Sequence, residues 1–104
     1  MQIARVCGTV VSTTKEPHLT GTKFLLLQAI DLEGQELPAY LPKYEVAADR
    51  VGAGFGEWVL VSRGSGARQI RDGQTLPIDA AAIAIIDTVT VGNRLAYSKR
   101  QSDR

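Results

Sequence analysis

Apolar residues recur along this chain in short segments rich in valine, isoleucine, leucine and threonine, and glycine and proline clusters separate them. No stretch sustains the spacing of an amphipathic helix, so the pattern predicts an all-β chain. Five strands are expected, at Gln2 to Thr13, Lys23 to Asp31, Tyr44 to Asp49, Glu57 to Arg63 and Ile83 to Val91, with a short terminal strand at Arg94 to Lys99. The breaks between them have chemical causes. Pro17 and Gly21 interrupt pairing in the loop Thr14 to Thr22, the Glu33 and Gly34 pair reads as a hairpin turn, and Pro38 and Pro42 remove ladder donors while keeping the chain extended. Gln69 to Gln74, carrying Asp72 and Gly73, reads as an exposed polar loop, and Gly92 with Asn93 makes the last turn. Pro77 and Asp79 precede three alanines, Ala80 to Ala82, a grouping that suits a single helical turn because proline fits an early helical position and aspartate can accept from a free N–H. The predicted fold class is therefore a small five-stranded OB-like β-barrel with one short helical turn.

Three segments break the rule that a half-buried strand is apolar on one face only. Phe24, Leu26 and Ile30 oppose Leu25, Leu27 and Ala29; Trp58 and Leu60 oppose Val59 and Val61; Ile83 and Ile85 oppose Ala84 and Ile86. A small barrel has one interior, and burial of apolar surface is worth on the order of 25 cal/mol per Å². Outer faces this apolar predict contact with other chains, the competing arrangement being coverage by the chain's own loops and terminal segment.

With 104 residues, 44% hydrophobic and 22% charged, the chain suits one domain, residues 1–104, with a modest core. Its opening residues contain Arg5 and no long apolar run, so neither a secretory signal nor a membrane span is expected and the cytoplasm is the expected compartment. One cysteine, Cys7, and one histidine, His18, leave little for a disulfide, a metal cage or a cofactor site. Cys7 is expected to be packing. The net charge of +1 lacks the broad positive field of a nucleic-acid binder.

Candidate catalytic motifs fail on their own terms. Gly52 to Gly56, GAGFG, precedes a strand rather than a helix, so a tight turn needing positive φ is a better reading than a dinucleotide loop. Gly64 to Arg68, GSGAR, lacks the Gly-Lys-Ser/Thr ending of a phosphate loop, and Ser65 has Arg63 where a nucleophile elbow needs glycine. His18 sits beside Pro17 with no orienting carboxylate, and Asp79 and Asp87 read as a cap and a strand-end acceptor rather than a carboxylate pair. Arg63 and Arg68 flank a glycine turn whose amides and charges suit a small anion, the rim of an opening, or interface salt bridges. The basic tail, with Arg94, Lys99, Arg100 and Arg104 against Asp103, suits either an acidic partner or a solvated terminus.

Taken together, IARVCGTVVST at Ile3 to Thr13, KFLLLQ at Lys23 to Gln28, YEVAADRVGAGFGEWVLVSRGSGAR at Tyr44 to Arg68, PIDAAAIAIIDTV at Pro77 to Val89 and YSKR at Tyr97 to Arg100 resemble the EutN/CcmL family of bacterial microcompartment vertex proteins, most closely its carboxysome members. The resemblance implies a noncatalytic homopentamer that caps the five-fold vertices of a shell tiled by hexamers and enclosing carbon dioxide fixation. Hexameric carboxysome shell proteins and an internal carboxysome scaffold protein are the implied partners, with no nucleic acid and no membrane. Carried onto this chain, the turn Gly64, Ser65, Gly66, Ala67 and Arg68 is expected near the five-fold axis, and Arg63, Trp58, Val59 and Val61 at the subunit interface. A vertex protein of another microcompartment and an OB-type binder of single-stranded nucleic acid are the alternatives. The latter would spread aromatics over a basic strand face for base stacking.

Overall fold

The structure, a computed structural model, describes residues 1–13, 17–35, 44–64 and 78–102. Strands β1 (Gln2–Val10), β2 (Phe24–Ala29), β3 (Glu45–Asp49), β4 (Trp58–Arg63) and β5 (Ala80–Ile85) close into a barrel in the order β1-β2-β3-β5-β4. The β3–β5 contact is parallel and the other four are antiparallel, which is the connectivity of an OB barrel. A second, two-stranded sheet follows, made of β6 (Thr88–Val91) and β7 (Arg94–Ser98), and a short helix α1 (Lys99–Ser102) ends the described chain.

The barrel interior is filled by a few large side chains set among small ones: Val6, Leu25, Leu27, Val59 and Val61 pack with Ala4, Ala47, Ala53, Ala80 and Ala82. Five strands enclose a narrow space, and alternating sizes let side chains from facing walls interdigitate. That requirement corrects two expectations. The three alanines Ala80 to Ala82 do not form a helical turn but open β5, where Ala80 and Ala82 fit the narrow interior; Pro77 lies outside the described residues. The strand expected over Ile83 to Val91 is two strands in two sheets, because the chain leaves the barrel at Ile86 and Asp87 before pairing again as β6. The described helical pieces lie elsewhere, in a 3-10 turn at Pro17–Leu19 and in α1.

Two irregularities set which residues point outward. Between Val6 and Gly8, β1 carries an extra residue, Cys7, against β2; between Ala82 and Ala84, β5 carries Ile83 as an extra residue against β4. Such bulges re-aim the side chains that follow. Ile85 therefore turns inward toward the core while Ile83 remains 37% exposed.

Candidate assembly surface

Glycine turns connect the strands where left-handed backbone is required. Gly52 and Gly56 have φ of +73° and +83°, as a tight turn demands, and the following residues enter β4 rather than a helix. Asp49 anchors this turn: its Oδ1 accepts from the N–H groups of Val51, Gly52 and Ala53 at 3.1, 2.9 and 3.3 Å. Its side chain is 1% exposed, with Oδ2 3.6 Å from Lys23 Nζ. On the far side, Glu57 Oε1 accepts from Gly54 N at 2.6 Å. The turn is held at both ends, and Phe55 at its tip is 83% exposed.

Glu57 also joins the barrel to the chain's last segment. Its Oε2 lies 2.6 Å from Lys99 Nζ, and the Lys99 ammonium, followed by the Gly54 N–H, holds the carboxyl below the ordinary range. Lys99 N donates to Asp87 O at 2.8 Å and Ile86 N to Trp58 O at 2.9 Å, which fixes the base of the β6–β7 hairpin. The Tyr97 ring stacks on Trp58 with centroids 3.9 Å apart and planes 12° from parallel. Ile30, Ile3, Ile86 and Val89 pack around the stack. At the other end of the hairpin Arg94 Nη2 lies 3.8 Å from Glu33 Oε1. The hairpin is thus laid along the outer wall of the barrel, over residues from β1 and β4 and over the end of β2.

A polar network joins β1, β2 and the turn at Gly34. Arg5 donates from Nη2 to Gln28 Oε1 at 2.8 Å and from Nη1 to Gly34 O at 3.0 Å, which satisfies the buried Gln28 amide oxygen. A turn forms at Glu33 and Gly34, but it is not the expected hairpin connection, since β2 ends at Ala29 and β3 begins only at Glu45, with Leu27 paired to Glu45. Asp31 Oδ1 accepts from Glu33 N and Gln35 N, each at 2.9 Å, and Gly34 takes φ of +80° against the Trp58 ring.

Of the residues expected at the axis, Gly64 has φ of +65° and donates from its N–H to Asp79 O at 3.1 Å; Ser65, Gly66, Ala67 and Arg68 lie outside the described residues. Of the expected interface residues, Val59 and Val61 are corrected. Both are 0% exposed inside their own barrel, so their side chains have no surface to give a neighbour. Trp58, at 6% exposed, is committed to Tyr97. Arg63 forms a clip within its own chain: Nε and Nη2 both donate to the Glu45 carboxylate, Nε at 3.1 Å, and Nη1 donates to Gln2 Oε1 at 2.7 Å. Glu45 begins β3, which is adjacent to neither β4 nor β1, so Arg63 spans the barrel end rather than a strand pair.

The remaining candidates do not converge. Asp79 and Asp87 are exposed, and their backbone carbonyls serve Gly64 and Lys99. His18 lies exposed in the 3-10 turn, and Cys7 Sγ is a half-buried donor to Leu26 O at 3.3 Å whose thiol pKa burial pushes up. Among the described residues no three of His, Cys, Asp and Glu gather as a metal site, and no helix is long and apolar enough to cross a membrane.

What this surface offers is apolar contact. Val46 is 46% exposed, Tyr44 49% and Ile83 37%, while the hairpin and Ile78 cover other parts of the wall. The family model for "Ethanolamine utilisation protein EutN/carboxysome" matches residues 1–87, the whole barrel. The chain belongs to the EutN/CcmL family. Among its EutN/CcmL relatives, the carboxysome shell vertex protein CcmL of Thermosynechococcus vestitus is 64% identical over 100 residues, covering 96% of this chain and 97% of that one. The solved structure of Gloeobacter violaceus CcmL superposes with a TM-score of 0.85 at 62% identity, over 96% of this chain and 99% of that one. A more distant EutN/CcmL likeness is the GrpN pentameric microcompartment shell protein from Rhodospirillum rubrum, with a TM-score of 0.74 at 41% identity, over 89% and 100% of the two chains.

Proposed function

We propose that this chain is a structural cap for the five-fold vertices of a carboxysome shell, acting as a cyclic homopentamer rather than as an enzyme. The observation that carries the reading is the end-to-end likeness to a carboxysome vertex protein at 62% identity and a TM-score of 0.85. The lower identity to GrpN, 41%, favours the carboxysome over another microcompartment. A sheet tiled only by hexamers cannot close, and a five-fold piece supplies the missing curvature. The protein would then reside in the carboxysome shell within the cytoplasm, beside hexameric shell proteins and an internal scaffold protein, and would serve carbon dioxide fixation by closing the enclosure.

Nucleic-acid binding through the OB architecture has little support, because Trp58 and Tyr97 spend their faces on each other and the net charge is +1. We place the Gly64 to Arg68 turn near the axis, where Gly64 leaves the Arg63 clip with left-handed backbone. Shells assembled from hexameric components with and without this protein test the function by electron microscopy. Closed polyhedral shells should require the wild-type chain, and an Arg68→Glu chain, which reverses the charge at that position in every subunit, should fail to close them. Closed shells in the absence of the chain would refute the capping role.

A further inference from the structure

Two carboxylates hold the turn from Asp49 to Glu57, and they divide it between them. Asp49 Oδ1 takes the N–H groups of Val51, Gly52 and Ala53, and Lys23 Nζ lies 3.6 Å from the other oxygen. Glu57 Oε1 takes the N–H of Gly54, the residue before Phe55, and its other oxygen lies 2.6 Å from Lys99 Nζ. The two halves differ in where the neutralising cation comes from. Lys23 immediately precedes β2, a strand of the barrel, whereas Lys99 opens α1, in the segment that follows the barrel. Asp49 repels the Glu57 carboxylate across the turn, and the Lys99 ammonium more than offsets that repulsion. The Glu57 side chain is 17% exposed, so water has little access to do the same.

We infer that the terminal segment controls the order of the Phe55 turn: with Lys99 seated on Glu57 the Gly54 half of the turn is held, and when the segment lifts off that half loosens while the Asp49 half stays. A carboxylate is planar and rigid, so a cation fixed on one oxygen orients the other. Lys99 is placed by more than its ammonium, since its N–H donates to Asp87 O and the Tyr97 ring two residues earlier stacks on Trp58. Its position therefore reports whether the whole hairpin is docked. The base of the turn is anchored separately, by Gly56 N–H on Val6 O and Val6 N–H on Glu57 O, which leaves Gly54 and the exposed Phe55 as the part that responds. Such coupling is reciprocal. An acidic partner that draws Lys99 away loosens the Phe55 tip, and a contact that holds the tip in its ordered form tightens the docking of the terminal segment. The coupling runs within one chain and does not rest on the ring reading above.

Amide hydrogen exchange of the full chain, followed residue by residue by NMR, reads this directly at Gly54. Lys99→Met keeps the length of the side chain and removes its charge, and it should speed exchange of the Gly54 N–H about tenfold, a size usual for coupled sites. Val51, Gly52 and Ala53, whose N–H groups belong to Asp49, should keep their wild-type rates. Lys99→Arg retains the charge and should leave Gly54 near its wild-type rate. In a Glu57→Gln background, where Gly54 has already lost its carboxylate, adding Lys99→Met should change its exchange no further, because the path runs through that one side chain. An unchanged Gly54 rate in Lys99→Met would overturn the coupling by showing that Glu57 holds the turn unaided. An equal rise from Val51 to Ala53 would overturn it as general loosening, and a further rise in the double variant would overturn it as a route that bypasses Glu57.

Discussion

At the scale of single residues, the fold depends on a few polar anchors that have no periodic signature. Glu57 is the clearest case, since one carboxylate holds Gly54 N–H and Lys99 Nζ, each at 2.6 Å. Its pKa is lowered in the folded chain, so its contribution is complete above the ordinary carboxylate pKa of about 4.3 and is lost as the pH falls through the lower folded value. Glu57→Gln should cost roughly 1 to 2 kcal/mol at neutral pH and should flatten the loss of stability that urea titrations of the wild type show below about pH 4. Equal acid sensitivity in the two proteins would exclude this role. Gly34 makes a second test, because a Cβ there would sit 3.2 Å from Trp58 Cζ2 on a backbone with φ of +80°. Gly34→Ala should lower the unfolding free energy by about 1 to 2 kcal/mol from the left-handed backbone alone, measured by urea denaturation with Trp58 emission as the probe. No loss would mean that the turn relaxes freely.

At the scale of elements, the strands were legible wherever apolar runs met glycine or proline, and the glycine turns at Gly52 and Gly56 followed from the need for positive φ before a strand. The misreadings at Ala80 to Ala82 and at Val59 and Val61 have one origin, the narrow barrel. Ala80 to Ala82 have helix-forming side chains, yet a tight interior selects them for size; Val59 and Val61 read as one of two equivalent apolar faces, and only closure of the barrel decides which face is inside. The bulge at Ile83 shifts the alternation by one position, which a strict period of two cannot anticipate. The β6–β7 hairpin was legible as strand and turn, but its docking was not, because a stack between Trp58 and Tyr97, 39 positions apart in the numbering, leaves no local pattern. A two-stranded hairpin is marginal by itself, so its order should depend on that stack. Tyr97→Ala should weaken the docking by about 3 kcal/mol, seen as loss of amide hydrogen-exchange protection over β6 and β7 while the barrel strands keep theirs. Retained protection in the hairpin would show that Lys99 and the surrounding isoleucines suffice.

At the scale of the whole molecule, the described residues give the barrel a wall covered by its own hairpin, a seam covered by Phe24 and Ile78, and outward apolar positions at Val46 and Ile83 that stay 46% and 37% exposed. Such a distribution suits a piece of a larger shell. The partly apolar outer faces allowed both self-coverage and assembly, and self-coverage is seen at the hairpin and at the β3–β5 seam. The axis turn from Ser65 to Arg68 stays a sequence-based expectation, since those residues lie outside the described part of the chain. Native mass spectrometry of the wild-type chain tests the central claim most directly: at micromolar concentration it should give the mass of five copies of the 11.2 kDa chain, and a monomer under those conditions would contradict it.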